Sequence, residues 1–386
     1  MTDSSLLAGI TVIDLSRVLA GPYSTMTLAN LGARVIKVEI PGTGDDSRAF
    51  GPFHNGKSLY FASINCNKES IALNLKNPDD RVIFEKLLEK ADVLVENYRP
   101  GTMEKLGYGW ETLHAKYPQL IYGAASGFGD SGPYSKRAAY DMVVQGMGGV
   151  LSMTGYPNQP PARVGISIGD ITAGLYLTIG LNAALYKRTI TKVGTKIDIA
   201  MLDCQVSILE DSIPAYDKTG NIPGPLGTRH PSIAPFQSFN AKDASIIIAA
   251  GNDHLFELMA GALSRPDLIT DARFKTNELR HENIDALQKE METTLSTKPV
   301  EDWLVLLNNA GVPCGPINDI PHVIADPQVA ARNMVIEVND PVIGKVKTAG
   351  NPVKVVGAPD EITMRPSPEL DADRAAILAE FVGGAK

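Results

Sequence analysis

Asp170 stands between a glycine-containing turn, Gly165-Ile-Ser-Ile-Gly169, and an apolar run from Ile171 to Tyr186. A carboxylate placed there has two chemistries open to it. As an N-cap it accepts hydrogen bonds from the first N–H groups of a helix. As a nucleophile it uses the same geometry. Gly165 and Gly169 let the backbone pack tightly and leave the carboxylate accessible. The positive helix end then holds it ionised at neutral pH, ready to attack an activated carbonyl. The residues alone leave both readings open.

Three other strings match catalytic or binding patterns. Gly51-Pro-Phe-His-Asn-Gly-Lys57-Ser58 fits the phosphate loop GxxxxGK[ST]. That loop needs a buried strand before it and a helix start after it. Pro41–Arg48 is polar and turn-like, and Leu59–Phe61 does not read as a helix start, so nucleoside triphosphate binding is not expected. Gly127-Phe-Gly129-Asp-Ser-Gly132 fits GxGxxG after a strand, but Pro133 breaks the turn. The first strand–helix turn has only Gly21, although Glu39 ends the second strand as a ribose-binding acid would, which makes NAD binding a weak option. Gly165-Ile-Ser167-Ile-Gly169 fits a nucleophile elbow. The preceding Gln159-Pro-Pro-Ala-Arg163 cannot be the buried strand an elbow requires. Ser167 with His230 or His254 is kept as a rival hydrolase reading.

Elements that could position Asp170 come from periodicity. Thr11–Leu15, Arg34–Glu39, Ile71–Leu75, Asp92–Glu96, Leu120–Ala124 and Lys196–Ala200 read as strands. A helix is expected from Pro22 to Gly32. Another begins at Asn77-Pro78-Asp-Asp, with Val82, Ile83, Leu87 and Leu88 as its apolar face. Strands alternating with helices imply an α/β fold with a parallel sheet covered on both faces. A helix is expected over Met201–Glu210 and a linker over Asn221–Pro235. Strand Asp243–Gly251 opens a run of helices to Asn309. The expected boundaries are 1–200 for a large domain, 201–226 for a linker helix and loop, 227–315 for a small α+β domain, and 316–386 for the return.

The chain has 386 residues, 44% apolar and 21% charged, with net charge −8. It can bury a sizeable core. A protein held to nucleic acid by phosphate contacts shows the opposite charge balance, so no nucleic-acid partner is expected. Anionic substrates require a local cluster of cations. Cys66, Cys204 and Cys314 form no CxxC pair, so neither a disulfide framework nor a metal site is expected. No basic, then apolar, leader is visible in Met1–Leu7, and the Ile171–Tyr186 run is short for a bilayer. The expectation is a soluble, cytoplasmic protein with no membrane partner.

The chain resembles the family III CoA-transferases over about 7–380. The matching segments include Arg17-Val-Leu-Ala-Gly-Pro22, Leu31-Gly-Ala-Arg-Val-Ile-Lys-Val-Glu39, Gly42-Thr-Gly-Asp-Asp-Ser-Arg48 and Ala91-Asp-Val-Leu-Val-Glu-Asn-Tyr-Arg-Pro-Gly101. Tyr140-Asp141, Gly165 followed by Asp170, Gly251-Asn-Asp253 and Gly311-Val-Pro-Cys-Gly-Pro316 continue the series. Ser58-Leu-Tyr60 and Thr154-Gly-Tyr-Pro157 are similar to the oxalate CoA-transferases within that family.

The resemblance implies a large Rossmann-like domain assembled from both chain ends, a small central domain, and two subunits in interlocked rings. It makes Asp170 the nucleophile that carries first an acyl group and then CoA. It assigns CoA contacts to Arg17, Val18, Leu19, Lys76, Asn97, Tyr98, Lys105 and Arg137, with Lys136 a further candidate. It places a glycine-containing lid at Ala249–Asp253, including Gly251. Coenzyme A thioesters are expected as substrates, with no permanently bound cofactor, and a small (di)carboxylate as acceptor. Racemases of the family carry a His where this chain has Tyr140, so transfer is favoured over racemisation. Tyr140 would then orient the acceptor carboxylate. Phe50 and Tyr60 would wall the acceptor pocket, and Leu19 stands where the known formyl-CoA transferases carry Gln.

Overall fold

The computed structural model describes residues 5–357 and 364–383; the outermost parts of the expected 1–200 and 316–386 segments lie outside them. The described residues divide into two compact units. One comprises 5–151, 163–222 and the chain from 327 onward; the other comprises 152–162 and 223–326.

β-branched runs build the first unit's sheet. Its six strands lie in the order Lys68–Ala72, Arg34–Glu39, Thr11–Asp14, Val93–Glu96, Ile121–Ser126, Lys196–Ala200, and every pairing is parallel. In chain order this is 3-2-1-4-5-6, a doubly wound sheet whose direction reverses beside the first strand. One face packs on Ile13, Ile36, Phe84, Leu87 and Leu94. The other packs on Val12, Val35, Val95, Leu177 and Leu181.

The third strand begins three residues earlier than the sequence suggests, at Lys68 instead of Ile71. Lys68 is buried because its ammonium donates to the Asp14 carboxylate, Pro22 O, Thr25 Oγ1 and Asn65 Oδ1. Burial lowers the Lys68 pKa to about 8 against the pull of Asp14. The Pro78–Lys90 helix starts where Asn77 caps it, accepting the Asp79 N–H. Its buried face is Phe84, Leu87 and Leu88; Val82 is exposed. Contrary to expectation, Leu59–Ile64 is helical, because the Ser58 hydroxyl accepts the Phe61 N–H. The string at 51–58 is still no phosphate loop. Asn55 and Gly56 turn a short hairpin, and the Lys57 ammonium is bound to Asp340 and Glu369.

Residues 201–222 pack with the first unit, and the helix expected from Met201 is present. The Met201–Ser207 helix packs Met201 and Cys204 against Ala20, Val144 and Ala173, and Gln205 donates to Thr172 Oγ1. A second short helix follows at Ser212–Thr219. The chain returns as an antiparallel pair, Val335–Asp340 with Gly344–Ala349, and the Arg374–Phe381 helix contributes Ile377 and Phe381 to the sheet core.

The second unit has a three-stranded antiparallel sheet, ordered Cys314–Pro316, Ser245–Ala249, Phe236–Asn240. Amphipathic helices Asp253–Ala262, Ile284–Leu295 and Val300–Asn309 close its core around Ile246, Ile248, Phe256, Met259 and Trp303. Residues 152–162 belong here rather than with the large segment, since Gly227 N–H donates to Gly155 O and Ala162 N–H to Thr154 O.

Candidate active site

Doubly wound sheets bind ligands beyond the carboxyl ends of their strands, where the order reverses. Here that point lies between Thr11–Asp14 and Val93–Glu96. The loops after these two strands clasp each other. Arg17 N–H donates to Asn97 Oδ1 at 2.8 Å, and Asn97 Nδ2 donates back to Arg17 O at 2.7 Å. Two cavities open beside the clasp. One, of about 480 Å³, has an apolar wall of Ile40, Pro41, Leu73 and Leu75, with Lys76 at its edge. The other, of about 270 Å³, is lined by Val18, Leu19, Asn97, Arg137, Tyr140 and Asp170. Arg17 and Tyr98 line both.

Asp170 is not the cap of its helix. The helix spans Ile168–Thr191 and Ser167 occupies the capping position, with no side-chain bond. The cap comes instead from the Asp141–Met147 helix. Asp141 Oδ1 accepts the Gly169 N–H at 2.8 Å, and its Oδ2 accepts Gln145 Nε2 at 2.7 Å. Gln145 in turn accepts the Val164 N–H. The approach leaves no room for a side chain at 169: a Cβ would lie 2.7 Å from Val144 Cγ2 and 3.0 Å from Asp141 Oδ1.

The electrostatics also depart from the expectation. Burial, and then the like charge of Asp141, raise the Asp170 pKa to about 7, against the lowering pull of the Ala20 backbone N–H. The helix end therefore does not hold Asp170 firmly ionised. A carboxylate poised near neutrality is a stronger nucleophile than an ordinary surface aspartate.

Burial, and then the charges of Asp170, Asp45 and Asp141, raise the Tyr60 phenol to about 12. Phe50 packs edge-on against Tyr60, with ring centroids 5.7 Å apart, though neither ring lines the cavity of Asp170. Tyr140 is exposed at the cavity mouth. Arg137 stacks on Tyr134. Lys105 and Lys136 are exposed and line neither cavity, although Thr102 and Leu106 on the Lys105 helix line the larger one. In the second unit, Gly251 lies in a turn pinned on both sides. Ala250 N–H donates to Pro235 O, Asn252 caps the next helix, and Asp253 pairs with buried Arg280. Sequence reading passed over Asp141 as the electrostatic partner of Asp170, and Ala20. No short-range pattern signals either, since both reach Asp170 from other helices. Ser167 sits on a helix start with no strand before it, which removes the elbow. Among the described residues no His/Cys/Asp/Glu group could hold a metal ion. The Ile168–Thr191 helix is long and apolar enough to cross a membrane, but half of it is buried in the protein.

A parallel doubly wound sheet thus carries, at its switch point, two cavities that share Arg17 and Tyr98, one of them lined by a near-neutral carboxylate, the usual place for a ligand site in an α/β enzyme. The CoA-transferase family III model matches residues 7–374, and the chain belongs to that family. It is 45% identical, over 97% of this chain and 95% of the relative, to an acetyl-CoA:oxalate CoA-transferase of Acetobacter aceti. It is 39% identical, over 99% of this chain and 87% of the relative, to a succinyl-CoA:glutarate CoA-transferase of Homo sapiens. A crystal structure of a CAIB/BAIF family protein from Brucella suis superposes with a TM-score of 0.87 at 39% identity, covering 98% of this chain and 99% of that one. The protein is a CoA-transferase, and CoA thioesters are the substrates of that class.

Proposed function

We propose that the enzyme moves CoA from formyl-CoA or acetyl-CoA to oxalate, with Asp170 as the covalent carrier. The observation that carries this reading is the placement of the Asp170 carboxylate, raised to about 7, in a cavity that shares Arg17 and Tyr98 as lining residues with a larger one. The larger cavity takes the nucleotide end of CoA, its apolar wall the adenine, and Lys76 and Arg17 its phosphates, with Lys105 nearby. Val18, Leu19, Asn97 and Tyr98 line the pantetheine path, and Arg137 and Tyr140 stand at the reacting end.

Asp170 attacks the thioester carbonyl, and CoA leaves as thiolate, giving an aspartyl–acyl anhydride. The thiolate attacks the aspartyl carbonyl and expels the donor carboxylate, leaving an aspartyl–CoA thioester. Oxalate attacks that thioester and again releases thiolate, which takes the oxalyl group and frees Asp170. The anhydride must be kept from water. Tyr140 orients the acceptor at the cavity mouth. The exposed apolar side chains of the long helix, Leu175, Tyr176, Ile179, Tyr186 and Ile190, support a homodimer.

Peptide mass spectrometry after incubation with acetyl-CoA should find CoA on the Asp170 peptide. Asp170→Ala should abolish exchange, and surviving exchange would reject the mechanism. A second reading, transfer to another dicarboxylate such as succinate or glutarate, is favoured by likeness to the human succinyl-CoA:glutarate CoA-transferase and by Leu19 in the cavity wall. Comparing kcat/KM for oxalate, succinate and glutarate against each donor decides between them.

A further inference from the structure

Val18 has φ +67°, a left-handed conformation that a β-branched residue adopts only when its surroundings impose it. The surroundings here are a buried ion pair. Asp45 Oδ1 accepts the Val18 N–H at 3.0 Å and the Ser47 N–H at 2.9 Å. Asp45 Oδ2 pairs with the Lys37 ammonium at 2.9 Å, both side chains fully buried. Lys37 also donates to Ser16 O at 2.7 Å. Burial alone would raise the Asp45 carboxyl, yet Lys37 holds it well below the usual carboxylate range. The two residues preceding Val18 in the loop are tied as well, Ser16 by Lys37 and Arg17 by Asn97. Two residues after Val18 the Ala20–Asn30 helix begins, and the N–H of Ala20 acts on the Asp170 carboxylate.

We propose that Asp45, held by Lys37, is a positioning residue for transfer: by locking Val18 in its left-handed turn it fixes the start of the Ala20–Asn30 helix against Asp170. The inference rests on Asp170 being the nucleophile. A relaxed loop withdraws the Ala20 N–H, which is the group favouring the ionised carboxylate. What remains around Asp170 is burial and Asp141, with the neutral Tyr60 phenol nearby and Arg17, Asp46, Arg99, Arg137 and Tyr140 lining the cavity wall. The carboxylate must then take its proton at higher pH. A merely structural role for Asp45 would lower stability or the amount of active enzyme without moving that titration.

The test is the pH dependence of kcat/KM in Asp45→Asn, with folding checked by circular dichroism. The acid limb should move up by about half a unit or more and kcat should fall about tenfold, with a smaller change in KM for the CoA donor. Val18→Gly added to Asp45→Asn should recover most of the loss, because glycine takes the left-handed turn without the clamp. If Asp45→Asn does not fold, Asp45→Glu is read instead. It keeps the charge beside Lys37 but displaces the carboxylate from Val18, and it should shift the limb the same way. An unmoved acid limb, or a double variant no more active than Asp45→Asn, overturns the proposal while Asp170→Ala remains inactive. Exchange surviving in Asp170→Ala overturns the nucleophile reading itself.

Discussion

The carboxylate of Asp141 accepts the backbone N–H of Gly169 at 2.8 Å, so the group that caps the long helix also sets a negative charge beside Asp170. One residue therefore performs two tasks that oppose each other. The cap stabilises the helix start, and the charge makes ionisation of its neighbour harder.

Replacing Asp141 by Asn separates the two tasks. The amide oxygen can still accept the Gly169 N–H, but the like charge is gone. Burial remains the larger cause of the raised Asp170 pKa, so the fall from about 7 should be partial, about one unit. The acid limb of kcat/KM should move to lower pH, the direction opposite to Asp45→Asn. A limb that stays in place would mean that Asp141 does not act electrostatically on the reacting group.

Asp170 should also weaken the fold at neutral pH. Its pKa rises from 3.8 to about 7 on folding. Between those values the folded chain keeps a proton that the unfolded chain has lost, so stability falls as pH rises through that window. Asp170→Asn mimics the protonated acid and should be more stable than the parent at pH 8, by on the order of 2 kcal/mol. The gain should disappear below pH 4. Thermal or urea melts at both pH values measure it, and equal stabilities at pH 8 would contradict the raised pKa.

Gly169→Ala tests how closely the two helices must approach. The added methyl meets Val144 Cγ2 at 2.7 Å and Asp141 Oδ1 at 3.0 Å. The cap has to retreat, and the long helix with it. A loss of about 1–3 kcal/mol of stability is expected, with at least about tenfold lower kcat because Asp170 is the next residue. Wild-type turnover in this variant would show that the position of Asp170 tolerates movement of its helix.

Much of this architecture can be read from short-range pattern. The β-branched runs mark the sheet, and Asn77-Pro78 marks a helix start because the cap and the first-turn proline act locally. What escapes is set by residues distant in sequence. Lys68 lies outside the β-branched run Ile71–Leu75, and its place in the strand follows from Asp14, Thr25 and Asn65 surrounding its ammonium. Asp170 reads as an N-cap because the glycine turn before it looks like a helix start, whereas Asp141 supplies the cap from another helix. The near-neutral carboxylate is legible only once burial and that second acid are in place. The family motifs mark Arg17, Asn97 and Tyr98, but not that Arg17 and Asn97 hold each other by two hydrogen bonds.

The Lys57 ammonium, which gives the 51–58 string its nucleotide-binding look, ties the returning chain to the hairpin. It reaches Asp340 at 2.6 Å, Ser367 O at 3.1 Å and Glu369 at 2.7 Å, and the Asp340 side chain is 2% exposed. Burial alone would raise the Asp340 pKa, but the bond from Lys57 and the N–H groups of Ile343 and Val342 lower it. Lys57→Met leaves that carboxylate buried without its cation. A destabilisation of about 3–5 kcal/mol is expected. The sign follows from the depressed pKa: the pair stabilises above the ordinary carboxylate range and loses its effect as the acid is protonated, so parent and variant should converge as pH falls. Neither protein should bind ATP in equilibrium dialysis. ATP binding by the parent that vanishes in Lys57→Met would restore the phosphate-loop reading and remove the structural one.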